Sequence, residues 1–314
     1  MKPLFERLDP QEECLWYGMQ SKGPYMLDYL YFYIGSYNLA TKRKFSEKYL
    51  GDLKNRWGIE KITSSAVDPL SHNFWYFDNY SKDIFLKLSD KVRLTKFLKS
   101  IKAYKHSVIV GSQPPDSNSK HWYVKSAHGF SGRGNFIYAK DVFEKISTQE
   151  FVVEEYLNRI CDFAITFLDE ENCIIYENQV NKTGKYQGTT IEEDTVYNIE
   201  KFLLKRSVPK SEIEHFLHTF SEIISFYKQQ LNGKILIGSF DFFIYEKAGE
   251  LWIHPCCEFN PRWTMGRVAW ELSRNLPLKK LLFFQTVFSS EPIDGYEILS
   301  PQEDKIKFQV KWLS

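Results

Sequence analysis

Two acidic residues in the last third of the sequence stand where a carboxylate is costly unless it has a partner. Asp241 lies inside the apolar run 240–245, and an unpaired carboxylate is strongly disfavoured in a buried strand. Glu258 and Asn260 flank Phe259, so the period of two in a strand places them on one face. Carboxylate and amide oxygens are the hard ligands that Mg²⁺ prefers, with phosphate oxygens completing the shell. The sequence therefore predicts a metal site formed by Asp241, Glu258 and Asn260.

Arg262 continues the same strand face, two residues after Asn260. Its planar guanidinium could neutralise a phosphoryl group during transfer. The competing interpretation is an ordinary strand end with a surface salt bridge between Glu258 and Arg262. That arrangement would leave Asp241 without a partner, so the metal site is the favoured interpretation.

A glycine-rich segment follows a predicted strand that ends at Lys125. Three of the sixteen glycines of the chain fall within residues 129–134. Glycine lets backbone N–H groups wrap a phosphate, and a lysine at the preceding strand end supplies positive charge. The spacing differs from a P-loop, which ends in Gly-Lys-Ser or Gly-Lys-Thr. For this motif alone, a flexible hairpin without a ligand is favoured over a phosphate lid.

Two further segments could contact a nucleotide. Residues 154–157 end an apolar strand that begins at Phe151, and such an end can offer backbone groups to the edge of a base. Asp162 would then be within reach of a ribose hydroxyl, although the segment alone indicates only a strand end. Lys185 lies in the turn-rich stretch 181–188, from which it could reach a γ-phosphate, but a solvated lysine is an equally good interpretation.

Other candidates are weaker. His215 and His218 share a helix face, but no third ligand is near in sequence, so surface histidines are favoured over a metal site. Cys257 precedes the predicted metal strand, and a buried structural cysteine is favoured over a nucleophile. Arg267 opens a predicted helix and could hold a substrate carboxylate; an arginine on the helix surface is nearly as good an interpretation.

The elements that must position these residues are strands in mostly hairpin order with helices inserted between them. After Ser89, a predicted N-cap, apolar residues recur with helical spacing from 94 to 101. A second helical stripe covers 213–231, where Ser211 with Glu214 matches a capping box. Strands are predicted at 235–245 and 251–259. This order predicts an α+β fold rather than a doubly wound sheet.

Composition excludes several classes of function. The 314 residues carry 41 Lys and Arg against 40 Asp and Glu, a formal net charge of +1. That balance argues against nucleic acid or an anionic membrane as a partner. No apolar stretch is long enough for a membrane span, and the first residues do not resemble a signal peptide. Five cysteines, two of them adjacent, favour a reducing cytoplasm over a disulfide framework.

The motifs occur in an order that resembles the ATP-grasp superfamily. Lys91, Lys125 with its glycine loop, residues 154–157, Asp241 and the run 258–262 carry the resemblance, which covers about residues 89–275. The sequence departs from the family pattern in two places. His254-Pro255-Cys256-Cys257 stands as an insertion before the glutamate, and bulky His128 and Phe130 lie within the glycine loop.

The resemblance implies a role for each matching residue. Lys91 and Lys125 would contact the phosphates of ATP, and Arg262 would face the transferred phosphate. Asp241, Glu258 and Asn260 would hold Mg²⁺, or Mn²⁺ in its place. The remaining nucleotide contacts would come from the glycine loop, the base-binding segment, the ribose acceptor and the second loop: Gly129, Ser131, Gly132, Arg133 and Gly134; Glu154, Glu155, Tyr156 and Leu157; Asp162; and Lys185.

The resemblance also implies a domain organisation. Residues 1–88 would form an N-terminal α/β lobe, and 89–275 the ATP-grasp core, whose two α+β subdomains grip ATP. Within the core, about 105–157 would carry the glycine loop and about 158–275 the metal site. Residues 276–314 would form a C-terminal extension that packs on the core.

The predicted activity is an ATP-dependent ligase that joins a carboxylate to an amine, or a thiol, through an acyl phosphate. Arg262, Lys125 and Arg267 would be its catalytic residues. A small-molecule or peptide carboxylate and an amine would be the substrates, and a homodimer is compatible with the sequence. Two alternatives stay open: a phosphotransferase of the same fold that phosphorylates a hydroxyl, and a nucleotide-binding protein without catalysis. The complete set of predicted metal ligands argues against the second.

Overall fold

A computed structural model of the chain describes residues 6–7, 27–34, 38–41, 43–59, 63–65, 72–73, 80–111, 122–129, 134–138, 150–181, 184–275 and 283–313. These residues divide between two units. The first unit comprises Met1–Asp78, Gln187–Glu193 and Arg262–Ser314, and the second comprises Asn79–Tyr186 and Asp194–Pro261. Every described residue of the predicted metal and base-binding segments belongs to the second unit.

Strands follow one another in long runs along the chain, with helices inserted between the runs. The helices are α1 (Tyr31–Ile34), α2 (Glu47–Trp57), α3 (Lys82–Leu88), α4 (Lys91–Ser100), α5 (Ile199–Lys205), α6 (Lys210–Gln230) and α7 (Met265–Asn275). The strands are β1 (Glu6–Arg7), β2 (Asn38–Ala40), β3 (Thr63–Ser65), β4 (His72–Asn73), β5 (Val108–Gly111), β6 (Trp122–Ser126), β7 (Asn135–Ile137), β8 (Phe151–Glu155), β9 (Asn158–Phe167), β10 (Cys173–Val180), β11 (Tyr186–Glu192), β12 (Gly238–Lys247), β13 (Glu250–Ile253), β14 (Glu258–Asn260), β15 (Phe283–Ser289), β16 (Glu297–Ile298) and β17 (Lys307–Leu313).

The second unit contains two antiparallel sheets. One has the strand order β5-β8-β6-β7, and the other has the order β13-β12-β9-β10 with β14 also paired to β12. In the first sheet Trp122, Val124, Phe151 and Val153 alternate along β6 and β8 and form a buried cluster, as the period of two in a strand requires. The structure therefore confirms the predicted α+β class with antiparallel hairpins.

An aromatic layer joins α6 to the second sheet. Phe216 and Phe220 stack on each other at 5.9 Å between ring centroids, and both rings meet Phe242 of β12 edge to face. Gly238 opens β12 with a φ of 147°, and a Cβ there would lie 2.5 Å from the Asn260 carbonyl oxygen. Only glycine fits this close approach of β12 to β14. The layer thus holds the strand that carries Asp241 against the helix.

The first unit carries the remaining strands. Its parallel strands have the order β3-β2-β1-β4, and β11, β15, β17 and β16 pair in antiparallel succession. Tyr49 of α2 donates a hydrogen bond of 2.9 Å to the Leu299 carbonyl oxygen, and Arg43 forms an ion pair with Asp304. Segments distant in sequence are thereby joined within this unit.

Several predicted element ends shift in the structure. The N-cap of α4 is Asp90 rather than Ser89, since the Asp90 carboxylate accepts hydrogen bonds from two backbone N–H groups of the first turn. Helix α6 follows Pro209 without a side-chain cap, so the predicted capping box is not used. The predicted strand 251–259 consists of β13 and β14 with residues 254–257 between them. In the described part of the chain, no helix combines the length and apolarity needed to cross a membrane.

The aromatic layer predicts a large difference between two neighbouring positions on α6. Replacing buried Phe220 by Ala should lower the free energy of unfolding by about 3–5 kcal/mol, because it leaves a cavity among four rings. Leu217 is 36% exposed, so Leu217→Ala should cost less than about 1 kcal/mol. Urea unfolding followed by circular dichroism measures both values. Equal losses in the two variants would show that α6 does not pack through this face.

Candidate functional site

A polar cavity in the second unit gathers five of the charged residues that the sequence singled out: Lys91, Lys125, Asp162, Asp241 and Glu258. It is lined from both sheets and from the start of α4. Three cationic and three anionic side chains face it among the described residues. The lining consists of Lys91, Tyr123, Lys125, Asn135, Arg159, Asp162, Phe163, Asn178, Val180, Gly184, Asp241, Phe242, Cys257 and Glu258.

Lys91 lies at the first position of α4 and is 4% exposed. Its backbone N–H donates to the Ala127 carbonyl oxygen at 2.9 Å, and its Nζ donates to the Gly129 carbonyl oxygen at 3.0 Å. The same Nζ lies 2.7 Å from Glu258 Oε2. The structure thus brings together two predicted phosphate-binding elements, Lys91 and the start of the glycine loop, and one predicted metal ligand.

The three predicted metal ligands lie side by side. Asp241 of β12 is directly opposite Glu258 of β14 in the antiparallel register. The Asn260 side-chain amide donates to Asp241 Oδ2 at 2.8 Å. The residues inserted before Glu258 keep this register, because the Cys257 N–H donates to the Asp241 carbonyl oxygen at 2.7 Å.

This donor set fits a hard divalent cation. Asp241 and Glu258 offer carboxylate oxygens from adjacent strands, and such oxygens are the ligands that Mg²⁺ prefers. The Lys91 ammonium already stands at Glu258, which shows that the position accepts a positive charge. A metal ion bound here would share Glu258 with Lys91 or displace it.

A second buried lysine is paired on the other side of the cavity. Lys125 of β6 forms an ion pair with Glu154 of β8, and both side chains are less than one-tenth exposed. Burial alone would lower the pKa of Lys125, but the Glu154 carboxylate holds it above its ordinary value. Glu154 is likewise held charged: burial would raise its pKa, whereas Lys125 and His254 keep it well below the usual range.

Two histidines that the sequence did not point to complete this network. His254 Nε2 lies 3.1 Å from Glu154 Oε2, and His106 Nε2 lies 3.9 Å from the same oxygen. Burial lowers the pKa of His254 to about 3, although Glu154 opposes the shift. The insertion 254–257 was the available signal for His254, whereas nothing in the sequence distinguishes His106 from a histidine at a strand end.

The predicted base and ribose residues fall partly in the cavity. Asp162 lines it and forms an ion pair with Arg159, whose guanidinium carbon lies 4.3 Å from the centre of the Phe243 ring. Leu157 packs against Phe243 in a buried cluster and does not line the cavity. The Tyr156 side chain is 40% exposed. Arg159 is a cavity residue that sequence reasoning missed, because an arginine in a polar strand start carries no distinctive pattern.

The backbone of the predicted base-binding segment is already engaged. The Glu155 N–H donates to the Ser107 carbonyl oxygen at 3.0 Å. The Glu155 carboxylate also lies 3.2 Å from Lys247 Nζ.

Lys185, the predicted γ-phosphate contact, does not line the cavity. Its backbone N–H donates to Asn181 Oδ1 at 2.9 Å. The structure therefore places Glu155 and Lys185 beside the cavity residues without bringing them into its wall.

Part of the glycine loop is described and part is not. Gly134 has a φ of 80°, and its carbonyl oxygen accepts a hydrogen bond of 3.0 Å from the Ser126 N–H. A Cβ at Gly134 would collide with the Ser126 hydroxyl, so this turn requires glycine. The predicted loop contacts Ser131, Gly132 and Arg133 lie outside the described residues.

The two predicted catalytic arginines belong to the first unit. Arg262 is buried, and its Nη1 donates to the Trp263 carbonyl oxygen at 2.9 Å. Arg267 of α7 forms an ion pair with Glu271 at 2.8 Å, and its guanidinium lies over the Trp263 and Trp270 rings. The charge of Arg267 is therefore balanced by a residue of its own helix.

No family profile matches the sequence, and no curated protein matches it. Solved structures do match. The chain is similar to N5-carboxyaminoimidazole synthetase from Staphylococcus aureus complexed with ADP, at 14% identity over 89% of this chain and 83% of that one, with a TM-score of 0.46. It is also similar to phosphoribosylamine–glycine ligase from Thermotoga maritima, at 15% identity over 88% and 82% of the two chains, with a TM-score of 0.42.

A third match is a protein from Archaeoglobus fulgidus that is described as a member of the ATP-grasp superfamily. It is 13% identical over 78% of this chain and 69% of that one, with a TM-score of 0.41. At these identities and TM-scores the similarity carries no argument about this chain, so the chemistry of the cavity must be argued from its own residues.

The neutral state of His254 predicts a pH-dependent stability. Its folded pKa of about 3 lies below the ordinary 6.5, so the unfolded chain binds more protons between these values. The free energy of unfolding should therefore fall as the pH drops from 7 to 5, by up to about 1.4 kcal/mol per pH unit from this residue. Urea unfolding in the presence of a chelator measures it.

His254→Gln should lose this dependence, and exposed His218→Gln should keep it. Asp28 gives the free energy of unfolding the opposite dependence on pH, because burial raises the pKa of its carboxyl to about 6. This contribution is the same in the wild type and in both variants. The comparison between variants therefore isolates His254. Identical pH profiles for wild type and His254→Gln would mean that His254 is not held neutral by burial.

Proposed function

We propose that the protein is an ATP-dependent carboxylate–amine ligase with an ATP-grasp core at 89–275. One observation carries the proposal: Lys91, Lys125, Asp241 and Glu258 line a single polar cavity. Two buried ammonium groups beside two adjacent carboxylates match the needs of a polyphosphate with its divalent cation. The order of these residues along the chain supports the same conclusion.

The geometry supports a distinct task for each group. Lys91 and Lys125 would exchange their internal carboxylates for phosphate oxygens and so position ATP. Asp241, Glu258 and Asn260 would hold Mg²⁺, or Mn²⁺, which supplies charge neutralisation at the phosphates. Asp162 would accept a hydrogen bond from a ribose hydroxyl, and the segment around Glu154 would border the base.

The proposed reaction has two steps. A substrate carboxylate oxygen attacks the γ-phosphorus of ATP, which forms an acyl phosphate and releases ADP. An amine then attacks the acyl carbon, loses a proton and expels phosphate, so that an amide is formed. Arg262 would neutralise the phosphoryl group during transfer, and Arg267 would help to hold the substrate carboxylate if its pair with Glu271 opens.

Product analysis tests the chemistry. After incubation of the protein with MgATP and pools of candidate carboxylates and amines, we expect ADP, free phosphate and an amide in equal amounts. ADP with a phosphorylated product in place of free phosphate would replace the ligase by a phosphotransferase. Binding of nucleotide without any ADP formation in any pool would favour a protein that binds nucleotide without catalysis.

Glu258 provides the sharpest test of the metal site. Glu258→Gln removes a carboxylate that would hold the cation, so the affinity for a non-hydrolysable ATP analogue with Mg²⁺ should fall at least about tenfold. Turnover should be lost. Calorimetry with and without Mg²⁺ measures the effect, and Glu246→Gln, at an exposed position on the same sheet, is the matched control. An unchanged Mg²⁺-dependent affinity would remove Glu258 from the metal site.

Arg262 separates binding from chemistry. Arg262→Lys keeps the charge and loses the planar fork, so kcat should fall about a hundredfold while nucleotide affinity changes less than about threefold. Arg274→Lys, on α7 over the Trp270 ring, is the control and should keep kcat. A loss of affinity as large as the loss of kcat would make Arg262 a ground-state phosphate contact instead.

A reducing cytoplasm is the compartment that we propose. Cys161, Cys173, Cys256 and Cys257 are all free thiols in the structure. Free buried cysteines are compatible with reducing conditions. The net charge of +1 supports small molecules rather than nucleic acid or membrane as partners.

A further inference from the structure

Beside the polar cavity lies a second group of side chains, of which the proposed reaction uses only Glu154, in the segment that would border the base. His106 precedes β5, Glu154 is the last residue but one of β8, and His254 follows β13. Their side chains are 0%, 4% and 1% exposed. In the described part of the chain, this is the one group of three metal-ligating side chains whose donor atoms all lie within 4.8 Å of one another. We infer that His106, Glu154 and His254 form a binding site for a borderline divalent transition-metal ion such as Zn²⁺.

The distances between the histidine nitrogens and Glu154 Oε2 need only a small adjustment before an ion could bind. Two ligands of a tetrahedral Zn²⁺ lie about 3.3 Å apart when each bond is about 2.0–2.1 Å long. His254 Nε2 and Glu154 Oε2 are already 3.1 Å apart. His106 Nε2, at 3.9 Å from the same oxygen, must approach that oxygen by less than an ångström.

The state of the His106 ring indicates a bound ion rather than a network in which every polar atom already has a hydrogen-bond partner. Neither of its ring nitrogens has a hydrogen-bond partner in the described residues. Its imidazole is enclosed by the rings of Tyr104, Tyr245 and His254 at centroid distances of 5.1–5.7 Å. A buried polar group without a partner destabilises the folded state, and coordination of an ion would satisfy one of the two nitrogens.

The surroundings of His254 prepare its Nε2 for a metal. Its Nδ1 lies 3.7 Å from Cys257 Sγ, on the opposite side of the ring from Glu154. A metal-binding histidine commonly donates its other N–H to a neighbouring acceptor, which fixes the tautomer. In the tautomer that carries its proton on Nδ1, this N–H faces the Cys257 sulfur, and Nε2 of the neutral imidazole has a lone pair to offer the ion.

The two oxygens of Glu154 face different partners. Oε1 pairs with Lys125, and Oε2 faces both histidines. An ion on Oε2 therefore leaves the ion pair in place, although repulsion from the nearby ammonium limits the affinity. Two imidazole nitrogens with one carboxylate oxygen suit Zn²⁺, Co²⁺ or Ni²⁺ better than Mg²⁺, which separates this site from the predicted magnesium ligands Asp241 and Glu258.

The test uses the full chain without an affinity tag, stripped with a chelator and then dialysed. Zn²⁺ titrated into the protein should bind with one saturable site per chain by calorimetry, and Co²⁺ should give the visible absorption of a four-coordinate ion. Zn²⁺ should also raise the melting temperature of the wild type through mass action. Absence of saturable Zn²⁺ binding would overturn the inference.

Variants then locate the ion. His106→Phe keeps the ring volume among its aromatic neighbours and removes a ligand, and His254→Gln removes another. Each should weaken Zn²⁺ binding at least tenfold and abolish the Zn²⁺-dependent rise in melting temperature. His218→Gln, at an exposed position on α6, should bind as the wild type does.

If His254→Gln fails to fold, His106→Phe alone decides the question. Zn²⁺ binding unchanged in folded His106→Phe would place the ion elsewhere and leave the three residues as a structural network. The inference is independent of the proposed ligase, because these readouts need no nucleotide. Loss of nucleotide binding without loss of Zn²⁺ binding, or the reverse, would tell the two proposals apart.

Discussion

The buried carboxylate of Glu154 is the group on which the arrangement of the second unit depends. A carboxylate in this environment is tolerated only while its partners are in place, and those partners are Lys125 on a neighbouring strand and His254 on the segment after β13. The network therefore connects the two sheets at the wall of the cavity. A change that separates the sheets would leave the Lys125–Glu154 pair intact between β6 and β8 but would remove the hydrogen bond between Glu154 and the neutral His254, so this contact favours one relative position of the two sheets.

The same constraint recurs at Lys91, whose ammonium joins α4 to Glu258 of β14. Each lysine that lines the cavity is held by an internal carboxylate. A bound anion must compete with that carboxylate for the lysine, so its affinity reports a difference between two ion pairs rather than the strength of one. The net free energy of binding would then depend on the new partners of the released carboxylates. At Glu258, a bound divalent cation would be such a partner.

How much could be predicted from sequence depends on whether a residue belongs to a local pattern. Local sequence patterns predicted the strand 151–155, the long helix α6 and, from the order of such elements, the α+β class. Apolar runs and the helical spacing of apolar residues can be read from neighbouring positions alone. Asp241 and Glu258 could be paired because each lies in a strand, where successive side chains alternate between two faces. Arg159 and His106 could not be found, since their positions depend on the packing of segments far apart in sequence. Residues 254–257 could be recognised as an insertion but not as the break between β13 and β14, which depends on how both segments pair with β12.

The equal numbers of positive and negative side chains around the cavity have a kinetic consequence. Lys91, Lys125 and Arg159 are opposed by Asp162, Asp241 and Glu258, so the cavity projects little field beyond its mouth. Long-range steering accelerates association only where a surface carries an excess of one sign. A charged molecule would therefore reach this cavity at an ordinary diffusive rate that depends only weakly on ionic strength. Selection among anions would take place after entry, through differences in their dissociation rates.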